Sequence, residues 1–497
     1  MTCLHPIAEL VCLHQANVGT LAPMDSRVSA RSLASSVGGW RTREPAYEAL
    51  ADSIRLLCLD NRLAPRTTLP AERELAGALG LSRSTVAAAY RSLRDSGHIA
   101  SLRGSGSVTL PLRRRDPGRA IGEAGTIDLQ QASPPAWPGL AGVMAQVAGS
   151  ASALVSRVGY DVFGRPELRE AIAARYTERG IPTTADEVLV TTGAQSAIHL
   201  LASVLLGRGD RVLVETPTYP HAVDALRRAG ARLVGVPVTT DAGWDLDRAE
   251  QVFARTLPVM AYLMPDFHNP TGRSMTHTER GVIHVAGERA GSILVLDETT
   301  AELDIDRGPV APGFDGGDPS SVVRIGSLGK TVWGGLRVGW IRAEVDLVRR
   351  LVAARSAHDL GTPEFEQAVA AELFADHHEI AGQRSMLLRE GRDAAVAAIH
   401  RRIPQWAVPH THGGVSLWVE LDAPLSSALV MDVRSRGLLL SAGSRFSVEG
   451  GHDRHLRIPF TASPHDLEAA VELLAEAWDR VRAGAPVRFV DRLESVV

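Results

Sequence analysis

Ser327-Leu328-Gly329-Lys330, with Arg337 seven residues further on, closes the apolar run 322–327 and gathers a hydroxyl, an amine and a guanidinium in one short segment. Of the 53 basic residues in this 497-residue chain, 52 are Arg, and Lys330 is the one lysine. Surface charge is therefore met by arginine throughout. A guanidinium stays protonated, whereas a lysine amine can be tuned to react, so arginine cannot stand in for an amine nucleophile. Whether the retained lysine carries chemistry is decided by its neighbours.

Outward from this segment, the runs 187–191, 211–215, 259–263 and 292–297 are β-branched or apolar, with helical stretches such as Pro166 to Gly180 between several of them. The pattern predicts an α/β body, a large mixed or parallel sheet covered on both faces. Ligands of such sheets sit at the carboxyl ends of strands, where the unusual residues cluster. Thr192-Gly193-Ala194-Gln195 ends a strand and opens a helix, whose amides can hold a phosphate. Thr216-Pro217-Thr218-Tyr219-Pro220 can set Tyr219 against a flat ring, and Asn269 in His268-Asn269-Pro270-Thr271-Gly272 can donate to a phenolate oxygen. Taken singly, these are a turn glycine, a core aromatic and an Asn-Pro turn. Asp297 ends a fourth strand beside Glu298; a carboxylate buried there needs a cation, such as a protonated pyridine nitrogen. A phosphate, an aromatic ring, a phenolate, a pyridinium and a lysine-reactive aldehyde together describe pyridoxal 5′-phosphate (PLP).

In this order the clusters resemble fold-type I PLP enzymes, the aspartate aminotransferase superfamily, from about residue 126 to 485. The resemblance implies that Lys330 forms the internal Schiff base, Asp297 pairs with the pyridine nitrogen, Tyr219 stacks on the ring and Asn269 contacts the ring oxygen. It implies that Gly193, Ala194, Gln195, Ser327 and Arg337 hold the phosphate. Arg457, in His455-Leu456-Arg457-Ile458, matches the arginine that grips a substrate or effector carboxylate with a bidentate fork. Tyr160, ahead of Gly164-Arg165-Pro166, aligns with a loop that reaches the cofactor of a second subunit. One position departs from the pattern. Many aminotransferases place a tyrosine three residues after the pyridinium aspartate, at the ring oxygen; here Thr300 stands there and is too short for the same contact. His268 reads as a neutral, hydrogen-bonded wall residue.

The N-terminal part has a different character. Tyr47, Leu50, Ile54 and Leu57 form one helix face after Pro45. A short helix from about Ala71 to Leu79 follows Leu69-Pro70 and stops at Gly80, and Ser82 caps the next, whose inner face is Val86, Tyr90 and Leu93. Two β-prone runs, 98–102 and 108–110, flank the hairpin tip Arg103-Gly104-Ser105-Gly106. This is the order of a winged helix-turn-helix domain. Its second motif helix presents Arg83, Ser84 and Thr85 to a major groove, while Arg73, Arg91 and the wing's Arg103 lie where phosphates run. Leu69-Pro-Ala-Glu-Arg-Glu-Leu-Ala76 and Leu81-Ser-Arg-Ser-Thr-Val86 closely resemble the GntR family of bacterial regulators.

Charge divides the chain at the same place. Residues 41–115 carry 13 Arg against 7 acidic residues, whereas 116–497 carry 38 basic against 48 acidic residues. A basic head on an acidic body suits a polyanion-binding module joined to a module with another task. The limits expected are an extension over 1–40, disordered in part and with Met24 as a plausible start; a head over 41–112; a Pro- and Gly-rich linker over 113–125; and the body over 126–497. Three cysteines without Cys-x-x-Cys spacing give neither a disulfide frame nor a zinc site, and no metal site is expected. With no secretory signal and no apolar run long enough for a membrane span, the chain reads as soluble and cytoplasmic.

Winged helix, linker and aminotransferase-like body on one chain resemble the MocR subfamily of GntR-type transcriptional regulators. That resemblance implies a head-to-tail homodimer on promoter DNA, with PLP, or an amine or amino acid reacting with it, as effector. Two alternatives stand beside it: a working aminotransferase with a secondary DNA-binding head, and a cofactor-free dimerisation platform. Whether the body turns over substrate is left open.

Overall fold

The computed structural model describes residues 27–38, 41, 45–60, 62–102, 106–110, 126–156, 158–308, 310, 313–314 and 318–484. The head is built on helix faces three and four residues apart. Helices α1 (Ala30–Val37), α2 (Ala46–Leu59), α3 (Glu72–Leu79) and α4 (Arg83–Asp95) bury Leu33, Leu50, Ile54, Leu57, Leu75, Val86, Tyr90 and Leu93 in one apolar core. Strands β1 (Ile99–Leu102) and β2 (Gly106–Thr109) pair antiparallel as the wing. Gly80 ends α3 in the left-handed region (φ 65°, ψ 33°), a conformation that glycine adopts without the Cβ clash of other residues, and this turns the chain into α4. Ser82 accepts the Thr85 amide and fixes the start of α4.

The head begins earlier than residue 41, where its boundary was expected. Leu33 and Val37 are core residues of α1, but eight residues with five Ala or Ser show too little periodicity to announce a helix. Residues 103–105 of the hairpin tip and the linker lie outside the described residues. On its other side α2 packs against the body of the same chain, where Leu56 joins the body's apolar core.

In the body, β3 (Ile127–Asp128), α5 (Leu140–Gly149), α6 (Ala151–Val155) and α7 (Pro166–Glu178) lead into an eight-stranded sheet. Its elements follow as β4 (Val188–Thr191), α8 (Ala194–Leu205), β5 (Arg211–Thr216), α9 (Pro220–Arg228), β6 (Arg232–Thr239), β7 (Gly243–Trp244), α10 (Leu246–Thr256), β8 (Met260–Leu263), α11 (His277–Arg289), β9 (Ile293–Asp297), β10 (Val322–Ser327) and β11 (Gly339–Arg342). The strand order is β4-β11-β10-β9-β8-β5-β6-β7. Strands β10, β9, β8, β5 and β6 run parallel, β11 lies antiparallel between β10 and β4, and β7 is an antiparallel edge.

Successive side chains leave opposite faces of each strand. Val212, Val214 and Val295 meet the cluster under α8 and α9, whereas Leu213, Leu294 and Leu296 meet the one under α10 and α11. Both faces are thus covered, and the sheet is mixed. The expected runs match β4, β5, β8, β9 and β10 to within a residue at each end.

After β11, α12 (Val345–Arg355) and α13 (Glu364–Leu373) precede the 26-residue α14 (His377–Arg402), which packs against α16 (Pro464–Arg482). Between these two helices lie β12 (Ser416–Glu420), α15 (Ser426–Arg434), β13 (Leu438–Leu439), β14 (Ser441–Ala442) and β15 (His455–Pro459). Strands β12, β15 and β14 form a small antiparallel sheet, and β13 pairs with β3. This places Arg457 of β15 beside the segment that follows β3.

Candidate functional site

The carboxyl ends of β4, β5, β8, β9 and β10 share one edge of the sheet and bring the sequence clusters together. Lys330 lies just past β10, its Nζ donating to the Ala132 carbonyl at 3.0 Å. Burial, reinforced by the Arg457 charge and opposed by Asp297, pushes its amine down to about 8. Asp297 is buried and takes part in no ion pair among the described residues. Burial pushes its carboxyl above the usual range, although Tyr262 Oη donates to Oδ2 at 2.5 Å and the Thr299 amide to Oδ1 at 3.0 Å. The next residue, Glu298, is used differently: it pairs with Arg324 at 2.5 Å and Arg179 at 3.4 Å. Two adjacent carboxylates are thus committed to separate networks.

Gly193 opens α8 at φ 82°, and no side chain caps that helix start. A Cβ on Gly193 would lie 2.6 Å from Arg337 Nη2, which donates to the Thr192 carbonyl at 2.9 Å. The Ser327 hydroxyl accepts the Gly329 amide at 3.0 Å and donates to the Val338 carbonyl. Helix amides, a guanidinium and a hydroxyl therefore converge on one spot. Gln195 Oε1 and Asn269 Oδ1 are buried with no hydrogen-bond partner among the described residues. Tyr219 precedes α9, its ring edge-on to His221, and burial together with the Asp297 charge pushes its phenol up to about 12.

Arg457 lies over the Phe446 ring, 4.8 Å from guanidinium carbon to centroid, with one donor on the Gln130 carbonyl and a buried Nε that has no partner among the described residues. Burial pushes its guanidinium down to about 10. It forms no ion pair among the described residues, and such a buried cation is suited to an incoming carboxylate.

Two further positions stand apart from the cradle of their own chain. The Thr300 hydroxyl donates to the Asp266 carbonyl at 2.9 Å and so serves the neighbouring loop instead of the cradle. Tyr160 is 71% exposed and does not line the buried cradle of its own chain. His268 is a buried wall residue, its Nδ1 2.9 Å from the Thr271 hydroxyl and its Nε2 3.3 Å from Glu215. Sequence reasoning missed Tyr262 and Glu215. The latter accepts from Trp244 Nε1 at 2.8 Å and from the Met264 amide at 2.9 Å, and so braces the turn that carries Asn269. Only the apolar alternation of their strands, with a polar group in a core position, hinted at either.

On the head, Arg73, Arg83, Ser84 and Arg91 are exposed and Thr85 is half-buried. The Ser84 and Thr85 hydroxyls each lie 2.8 Å from Ser82 Oγ, and Arg83 Nε lies 3.8 Å from Glu72. Arg103 lies outside the described residues.

The sequence model of aminotransferase class I and II matches residues 151–474. The chain belongs to this family. The model of bacterial regulatory proteins of the gntR family matches residues 46–108, so the class I and II body carries a GntR winged-helix head. A relative along most of the chain is YdfD, an HTH-type transcriptional regulator of Bacillus subtilis (strain 168), 28% identical over 86% of this chain and 95% of its own. The probable rhizopine catabolism regulatory protein MocR of Rhizobium meliloti is 29% identical over 73% of this chain and 78% of its own. These regulators are consistent with membership of the MocR subfamily. The class I and II fold is matched by LysN, the α-aminoadipate aminotransferase of Thermus thermophilus, solved with N-(5′-phosphopyridoxyl)-L-leucine. That match has a TM-score of 0.67 and 28% identity, over 73% of this chain and 94% of LysN.

Proposed function

We propose that this chain is a PLP-dependent, DNA-binding transcriptional regulator acting as a homodimer on promoter DNA in the cytoplasm. One observation carries the reading: an exposed, arginine-bearing recognition helix and a cradle built around the sole lysine occur on one chain. The cradle fits the cofactor. Its helix start, Arg337 and Ser327 suit a phosphate, the carboxamide nitrogen of Asn269 can donate to a ring oxygen, and the unpaired Asp297 suits a ring nitrogen. Bound there, PLP supplies an aldehyde that condenses reversibly with amines. Lys330 presents an amine that is half-neutral near pH 8 and largely neutral only well above it; Asp297 would hold a proton on the ring nitrogen, and Tyr219 would pack on the ring.

With the cofactor held there, the aldehyde would accept an amine or amino acid in place of Lys330, and Arg457 would hold the carboxylate when there is one. Such an effector shifts the regulator only by binding one body conformation better than another. The exposed Val155, Val158 and Tyr160 support a subunit contact at this edge of the body. The test is titration of the full-length protein against DNA upstream of its own and neighbouring genes, at two salt concentrations, with and without PLP. Tight, sequence-selective and PLP-responsive binding supports the reading; weak, sequence-blind binding to every fragment contradicts it.

The second reading is an active aminotransferase. It is favoured by the retention of Lys330, Asp297, Asn269 and Arg457 in one site. Steady turnover of an amino acid with a 2-oxo acid, without any effect on DNA binding, would establish it.

A further inference from the structure

A second constellation of reactive side chains lies outside the cradle. Residues 409–413 approach β12 as an extended run, so His410 and His412 leave the same side while Thr411, between them, is buried on the other. The His412 carbonyl accepts the Ile305 and Asp306 amides at 2.9 and 3.1 Å, which draws Asp306 alongside. Its Oδ1 lies 2.9 Å from His412 Nδ1 and 4.0 Å from His410 Nε2. The two imidazoles stand nearly perpendicular, 4.3 Å between centroids, and one donor atom from each of the three residues lies within 4.8 Å of the others.

We propose that Asp306, His410 and His412 form a binding site for a divalent transition-metal ion of the Zn²⁺ class. Zinc bonds to nitrogen and carboxylate oxygen of about 2.0–2.2 Å hold tetrahedral ligand atoms roughly 3.3–3.5 Å apart. The present spacings bracket that value, so side-chain shifts of about an ångström complete the set. The two oxygens of Asp306 have separate tasks: Oδ2 is held by Arg392 at 2.7 Å, which leaves Oδ1 turned toward the imidazoles. A carboxylate oriented from behind in this way is characteristic of metal ligands. His410 makes no hydrogen bond among the described residues and is 66% exposed at its side chain, so it is free to swing onto an ion.

The donor set also selects the metal. Ca²⁺ and Mg²⁺ need oxygen-rich shells, which one carboxylate beside two guanidiniums does not provide. Two imidazoles and a carboxylate suit Zn²⁺ and its neighbours. Three protein ligands leave a coordination position open toward a cavity of about 670 Å³, lined by both histidines, Arg273, Arg307 and Trp418. The site also bears on the cradle, because a Cβ on Gly272, in the turn that carries Asn269, would lie 2.8 Å from Thr411 Cγ2. An ion held by the residues on both flanks of Thr411 stiffens the residue against which that turn rests.

The test titrates the untagged full-length protein with Zn²⁺ against a chromophoric chelator, and with Co²⁺ followed by its visible absorption, with and without PLP. The wild type is expected to take up one equivalent per chain above any weak background. H410A, H412A and D306N are each expected to lower affinity by about tenfold or more and to abolish the Co²⁺ band; H465A, on a surface histidine outside the cluster, leaves both unchanged. Circular dichroism checks each fold, and H410A decides alone if the others misfold, since His410 packs little. Absence of a saturable equivalent in the wild type, or its survival in the H410A/H412A double variant, overturns the proposal.

Discussion

Lys330 stands between opposing influences. Burial and the Arg457 charge drive its amine toward neutrality, and Asp297 resists, leaving it at about 8. A free lysine titrates near 10.4. The amine is protonated and inert below its pKa and nucleophilic above it. The rate at which cofactor-free protein takes up PLP, followed by absorbance, is therefore expected to rise with pH to half its maximum near 8, well below the free-lysine value. Asp297 depends on Tyr262 in a comparable way. Tyr262→Phe removes a donor to a buried carboxylate, a loss of about 1.5–3 kcal/mol for a charged partner. Urea unfolding of the cofactor-free variant should show a loss of that order, and the Asp297 carboxyl should rise further. Lys330, Asp297 and Asn269 were legible in the sequence because each sits at or just past a strand end with a distinctive chemistry. Tyr262 and the carbonyls of Gln130 and Ala132 were not, since their contacts join segments 35 to 327 residues apart.

At the scale of the element, the phosphate site and the recognition helix both depend on how a helix begins. Gly193→Ala combines a left-handed φ of 82° with a clash against Arg337. Strain of about 1–3 kcal/mol is expected to weaken PLP affinity by roughly five- to 150-fold, as measured by equilibrium titration, while α8 itself persists. Ser82→Ala removes the cap of α4 and is expected to cost the head about 1 kcal/mol, seen as a lower thermal midpoint and weaker DNA binding. Breaking the buried Arg324–Glu298 pair with Arg324→Ala leaves a carboxylate partly uncompensated and is expected to cost about 3–5 kcal/mol in urea unfolding. The five strands that carry the site were readable because their runs are apolar on both faces. Strand β6, one in from the edge, mixes exposed and buried residues and contains Gly235 and Pro237, and α1 is too short and too small-chained, so neither stood out.

Over the whole molecule, charge and motif order revealed two modules, but not how they meet. The burial of Leu56 against the body depends on surfaces from distant segments. The basic head binds DNA through phosphate neutralisation, so affinity is expected to fall steeply with salt. Arg83→Ala should cost about 1–3 kcal/mol and relax selectivity if Arg83 reads a base; a uniform loss across sequences would make it a phosphate contact. The decisive measurement is the DNA affinity of wild type and Lys330→Ala, each with and without PLP and with PLP plus an amino acid. A regulator whose signal passes through Lys330 gives a ligand-dependent affinity change in the wild type that is lost in the variant. An unchanged ligand response in Lys330→Ala, with the variant folded and still bound to DNA, would contradict that account.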